Sequence, residues 1–204
     1  MKIHLYQDDL PANLDLGPVV AIDTETMGLN PHRDRLCLAQ LSSGDGVCHL
    51  VQFSRQDYKS AVNLKRLLAN ESVTKLFHFA RFDVAILSHY LSVDVKPIYC
   101  TKIASKLVRT FTSKQGLKDL CKDLLGVEIS KQEQTSDWGN PNLTQEQLTY
   151  AATDVLHLHN LKTKLDLLLE REKRVELAEA CFNFLPYVAQ FDLMSNDDFD
   201  IFSH

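Results

Sequence analysis

"VVAIDTETMGLNP", residues 19–31, is a run of apolar and β-branched residues that stops abruptly on two acids with one threonine between them. In an extended segment successive side chains alternate, so Asp23 and Glu25 project to one side while Thr24 and Thr26 face the other. Two carboxylates so close repel one another unless a cation or a proton lies between them. Gly28, Asn30 and Pro31 then supply the turn chemistry that ends the strand. Taken alone, a pair of acids at the mouth of a sheet is equally well a solvated strand end. The rest of the chain decides between the two.

Working outward, residues 2–6 read as a short edge strand followed by a polar turn. "RLCLAQLS" (35–42) and "GVCHLVQF" (46–53) are strands joined by "SGDG" (43–46), a strong hairpin signal. Gln40 interrupts the first of these apolar runs and needs a partner if buried. "AVNLKRLLAN" has helical spacing, "VTKLFHF" returns to a strand, "RFDVAILSHYL" is helical, and "VKPIYCT" is a short strand. Beyond it the pattern is helical: "TKIASKLVR", "GLKDLCKDLLG", and one long run from about Thr144 to Leu185. The polar loop "VEISKQEQTSDWGNPN" separates the last two. Three strands in antiparallel order and then strand–helix alternation predict an α/β fold, a mixed sheet flanked by helices in a single domain. That domain is expected over residues 1–175, with 176–204 forming a C-terminal helix and tail packed on the domain or at a subunit interface. The tail mixes Phe191, Leu193, Met194, Phe199, Ile201 and Phe202 with acids, and apolar residues this dense rarely stay exposed.

The bulk numbers narrow the partners. Lys and Arg number 22 against 27 Asp and Glu, a formal charge of −5. This opposes a broad, non-specific grip on a long polyanion, which needs many phosphate contacts. A short nucleic acid held locally by metal remains compatible. The five cysteines are dispersed and odd in number, as reduced thiols are in a cytoplasmic protein. The first residues carry no apolar leader and no run reaches membrane-spanning length, so no membrane partner is expected.

Two further units carry acids. "FHFARFDVAIL" places Asp83 in the first turn of a helix, where free N–H groups and the helix dipole favour a carboxylate. "LTQEQLTYAATDVLHLH" starts with Thr144 and Gln147 at capping-box spacing. Tyr150 and Asp154 then share one face of that helix. An acid amid Ala, Val and Leu is costly to bury without a partner. Four carboxylates and a tyrosine on elements able to converge suit hard cations, Mg²⁺ or Mn²⁺. Two-ion sites of this kind activate a water and stabilise a leaving oxygen in phosphodiester cleavage. His157 and His159 have no Cys or His at ligand spacing beside them, which argues against zinc.

D-x-E-T in the first long strand, a second F-D motif, and Y-x3-D in a late helix resemble the DEDD exonucleases of the tyrosine subclass (DEDDy), typified by ribonuclease D. The resemblance spans roughly residues 15–170. It implies a ribonuclease H-like fold and 3′-to-5′ hydrolysis to nucleoside 5′-monophosphates with two divalent ions. It assigns metal ligation to Asp23, Glu25, Asp83 and Asp154 and water orientation to Tyr150. "SDWGNPNL" keeps Trp138 but has Asn140 where that family has an arginine, and no C-terminal helical nucleic-acid-binding domain follows. A catalytic domain of this size with "NPHRDRLCLAQ" and "CTKIASKLVRT" is similar to the nanoRNase C group. That likeness implies RNA dinucleotides as substrate and a ring-like homo-oligomer, an octamer.

Several residues are candidates for substrate contact. Thr24, Met27, Gly28 and Leu29 follow or flank the first acids, where the last three suit a wedge against the terminal base or an ordinary turn. His78 and Phe79 precede Asp83 and suit a sugar or base, or the core. Lys102, Lys106 and Arg109 share one helical face, with Ser105 nearby, suited to a phosphate, and Lys118 with Lys122 form a second stripe; such faces are usually just solvated. Trp138 suits a base stack or a packing anchor. The expected function is therefore metal-dependent 3′-to-5′ exoribonuclease action on short single-stranded RNA. The rivals are trimming of longer RNA or of DNA, and a catalytically inactive RNA-binding scaffold.

Overall fold

The computed structural model describes residues 1–54, 58–130, 133 and 135–194. Six strands form one sheet: β1 Lys2–Gln7, β2 Val19–Thr26, β3 Leu36–Ser42, β4 Val47–Gln52, β5 Thr74–Phe77 and β6 Ile98–Cys100. Their order is β1-β4-β3-β2-β5-β6. The hairpin expected at 43–46 joins β3 and β4 antiparallel, and β2 also runs antiparallel to β3. β5 and β6 extend the sheet in parallel from β2, and β1 pairs in parallel with β4 at the other edge. The sheet is mixed, as the pattern of hairpin and then strand–helix units requires.

The helices are α1 Val62–Ala69, α2 Ala80–Leu91, α3 Thr101–Val108, α4 Leu117–Leu120, α5 Gln145–Leu156, α6 Leu158–Arg171 and α7 Val175–Met194. Helix α4 runs on as a π turn through Cys121–Leu125. Ile22, Leu38, Leu41, Leu50, Leu76 and Phe77 have no exposed surface and form the heart of the core.

The helix expected as one run from Thr144 to Leu185 is three. The first break is at His157, which caps α5 and opens α6. The second is a left-handed residue, Lys173 (φ 56°). Its N–H donates to Glu170 O and that of Arg174 to Leu169 O, closing α6 with the paired bonds of a Schellman motif. Lysine tolerates this conformation less readily than glycine, so no glycine marks the stop. Helix α7 then runs past Leu185 and packs on α2, where Arg81 makes a bidentate pair with Asp192 at 2.6 and 2.5 Å. Of the tail, Phe199, Ile201 and Phe202 lie outside the described residues.

Lys75 on β5 is fully buried. Its ammonium donates to Asn70 O (2.8 Å), Val73 O (2.7 Å) and Lys96 O, tying the turn before β5 to the segment before β6. Lys75→Met keeps the bulk but leaves buried carbonyls without this donor. It is expected to lower the unfolding free energy in urea by about 2–4 kcal/mol; an unchanged midpoint would show the three bonds to be dispensable.

Candidate active site

Strand β2 ends where β3 no longer follows it regularly, with a register shift between Glu25 and Thr26. Asp23 and Glu25 therefore emerge together at the sheet's edge of order, beside the first turn of α2, which carries Asp83, and the face of α5 that carries Tyr150 and Asp154. Asp23, Glu25 and Asp154 each offer a carboxylate oxygen within 4.8 Å of the others. This is the group of three or more His, Cys, Asp or Glu ligand atoms found together among the described residues. Asp83 stands beside it, 3% exposed, and lines the same cleft.

The electrostatics follow from burial. Asp23 is held well above the usual carboxylate range, first by burial and then by Asp83, Asp154 and Glu25. Glu25 is raised by burial and by Asp154 and Asp83, against the opposing bond from Gln40. Burial lifts Asp83 to about 7, although the Thr24 hydroxyl donates to its Oδ1 at 2.7 Å and favours the anion. Burial and the neighbouring Asp154 raise the Tyr150 hydroxyl, which is hydrogen-bonded to Asp154, so Tyr150 stays a phenol. Asp23, Glu25 and Asp83 are thus costly to ionise together unless a cation compensates the charge. The donor set is all oxygen, as hard divalent ions require, and the carbonyl oxygen of buried Gln40 beside Glu25 has no partner among the described residues. Asp23, Glu25, Asp154 and Asp83 fit a divalent metal.

The acids open into a cleft of about 650 Å³, within the range of roughly 300–1,000 Å³ common for small-ligand sites. Thr24, Met27, Gly28, Leu29, His78, Phe79 and Lys102 all line it. Thr24 spends its hydroxyl on Asp83. Gly28 is needed for packing, because a Cβ there would lie 2.3 Å from Asp34 Oδ2. Leu29 is 84% exposed and Met27 53%, large apolar side chains presented at the mouth.

Phe79 sits in the left-handed region (φ 66°) at the head of α2, with the Lys102 ammonium 3.8 Å from its ring centroid. The Thr101 hydroxyl donates to Phe77 O (3.2 Å), so it accepts from His78 Nδ1 (2.9 Å). Burial pulls His78 down to about 3; the ring is neutral and its Nε2 is left as an acceptor.

Other candidates lie elsewhere. Ser105 is buried and donates to Gln115 Oε1 at 2.5 Å, off the cleft wall. Lys106 is exposed, outside the lining although close enough to Lys102 to lower its pKa after burial. Arg109 is 3% exposed and pairs with Asp123. The face expected to be cationic is split, because Arg109 caps the end of α3 buried against Asp123 and Lys106 lies off the cleft lining that holds Lys102. His159 Nε2–H donates to Val19 O (3.0 Å), a contact to the sheet.

Residues with no signal in the sequence complete the wall: Gly116, Leu117, Ile129, Thr135 and Ser136. The segment bearing Trp138 is pinned by three donors. Gln147 Nε2 reaches Ser136 Oγ and Asp137 O, Arg35 reaches Gly139 O, and Gln52 reaches Asn140 O. Trp138 is thereby buried with its ring centroid 6.1 Å from that of Tyr150.

Comparison with known proteins places the chain among known folds and families. Residues 8–170 match a family model described as 3′-5′ exonuclease. Ribonuclease D of Granulibacter bethesdensis is 34% identical over 158 residues, 78% of this chain. That match spans only 39% of the relative, so the chain corresponds to about two fifths of the ribonuclease D relatives. The solved structure of Brucella melitensis NrnC with bound Mg²⁺ is 50% identical with a TM-score of 0.94, covering all of both chains. That of B. melitensis NrnC bound to pGG is 52% identical with a TM-score of 0.95, covering 100% of this chain and 99% of that one.

Asp83→Asn keeps an acceptor for Thr24 and removes one of the repelling charges. It is expected to leave or raise the melting temperature in EDTA while cutting metal-dependent turnover by more than about 100-fold. Retained activity would take Asp83 out of the site.

Proposed function

The chain belongs to the 3′-5′ exonuclease family, and on that premise we propose that it is a metal-dependent 3′-to-5′ exoribonuclease of short RNA, dinucleotides above all. The observation that carries this reading is the convergence of four carboxylates and a neutral tyrosine in one small cleft. Asp23, Glu25, Asp83 and Asp154 would hold the metal, two Mg²⁺ or Mn²⁺ ions. When bound, divalent ions neutralise the phosphate charge and make a water nucleophilic at neutral pH.

The chain's own groups do the rest. Tyr150, anchored on Asp154, orients the attacking water as a neutral phenol. Water loses a proton as its oxygen adds to phosphorus, the bond from phosphorus to the 3′ oxygen breaks, that oxygen takes up a proton to become the new 3′ hydroxyl, and a nucleoside 5′-monophosphate leaves. Met27 and Leu29 cover the terminal base, and the neutral His78 offers Nε2 to a sugar hydroxyl. Lys102 with the Phe79 ring faces the nucleotide at the other wall.

Dinucleotide length is supported by the cleft's size, by the chain's net negative charge, and by pGG, a ligand of that length, in the NrnC relative. The homo-oligomer, an octamer, belongs to the same reading, and Leu167, Leu177 and Tyr187 supply exposed apolar surface for it. So does the cytoplasm, which suits the free cysteines.

The test is a time course with Mg²⁺ or Mn²⁺ on a 5′-phosphorylated RNA dinucleotide and an unstructured RNA of about twenty nucleotides, a length needing many phosphate contacts. The dinucleotide is expected to be lost faster by about tenfold or more in kcat/KM. Equal or faster shortening of the long RNA would favour an end-trimming enzyme, and no product from either an inactive scaffold.

A further inference from the structure

Strand β3 reads Leu-Cys-Leu-Ala-Gln-Leu-Ser, and its amide at Gln40 has no exposed surface. Burying an amide costs about 1–3 kcal/mol unless its groups find partners. Gln40 satisfies that demand only by half. Its Nε2 donates to Glu25 Oε1 at 3.3 Å, while its Oε1 has no partner among the described residues. The sheet explains the reach. In register Gln40 stands directly across from Asp23, on the same face, and Glu25 is the diagonal neighbour two residues on. On the other side it faces Leu50 of β4, which offers nothing polar. A half-satisfied amide at the centre of a sheet is a poor stabiliser, yet its one bond goes to a carboxylate of the acidic cluster.

We propose that Gln40 is a positioning residue for the metal. Its N–H fixes the orientation of the Glu25 carboxylate, and its carbonyl oxygen is the acceptor for a hydrogen-bond donor that arrives with the ion, a bound water. This assignment rests on the metal reading of the Asp23, Glu25, Asp154 and Asp83 cluster. Ligating carboxylates are themselves held by outer hydrogen bonds, and loss of such a partner weakens metal binding by about 10–100-fold. Among the described residues Gln40 is the side-chain hydrogen-bond partner of Glu25, so the effect falls on one bond.

The test measures Mn²⁺ binding to the metal-free full chain without nucleic acid, by calorimetry and by the electron paramagnetic resonance of free Mn²⁺. Melting in EDTA is followed in parallel. Gln40→Met removes both polar groups at similar volume, and Gln40→Asn keeps an amide one methylene too short to reach Glu25. Both are expected to raise the Mn²⁺ dissociation constant by about 10–100-fold. Melting of Gln40→Met in EDTA is expected to stay level or rise, because an unsatisfied amide has left the core. Dissociation constants within about twofold of the wild type in whichever variant folds overturn the assignment, whatever the melting temperature does. Failure of the metal reading itself has a different signature: the wild type would bind no Mn²⁺, and the assignment would fall with it.

Discussion

The mutual repulsion of half-buried carboxylates is the constraint around which this protein is arranged. Oxygens of Asp23, Glu25 and Asp154 lie within 4.8 Å of one another. At an effective dielectric near 20 each such pair costs roughly 3 kcal/mol if both are ionised. Three pairs approach about 10 kcal/mol, as much as the whole net stability of an ordinary domain. Asp83 adds a fourth charge in the same cleft. A fold cannot retain this cluster for stability. On the proposed reading a cation turns the repulsion into ligation, and that cation is what the chemistry of phosphodiester cleavage needs.

Holding the four acids together falls to elements distant in sequence. Strand β2 supplies two of them from a single extended segment, at no cost in chain entropy beyond the strand itself. The Thr24 hydroxyl reaches across to Asp83 and couples β2 to α2. The capping box of Thr144 and Gln147 sets the start of α5, and so the height at which Tyr150 and Asp154 face the strand. Gln147 is the joint between two functions, because its Oε1 completes that cap while its Nε2 holds the Trp138 segment over the tyrosine. The cleft has a floor of sheet and helix and a wall of loop, and the same few amides bind wall to floor.

The floor was legible in the sequence, and the wall was not. The alternation that puts Asp23 and Glu25 on one face, the four-residue spacing of Tyr150 and Asp154, and the apolar runs of the sheet are all local periodicities, which a sequence displays directly. Gly116, Leu117, Ile129 and Thr135 reach the cleft through loop paths that no period encodes. Helical spacing placed Lys102, Ser105 and Lys106 near one another without fixing which way α3 would turn, and packing sent Ser105 inward to Gln115. The stop at Lys173 was hidden because the left-handed residue there is not glycine. Gln40 stood out as a polar residue in an apolar strand, but its partner depends on the β2–β3 register, a non-local fact.

The most direct measurement is anomalous diffraction from a crystal of the full chain soaked in Mn²⁺ and recorded at the manganese absorption edge. The account predicts anomalous density bounded by Asp23, Glu25 and Asp154, with Asp83 beside it. Manganese sites elsewhere and none among these four carboxylates would contradict it, leaving the cluster as buried acids held neutral by protons.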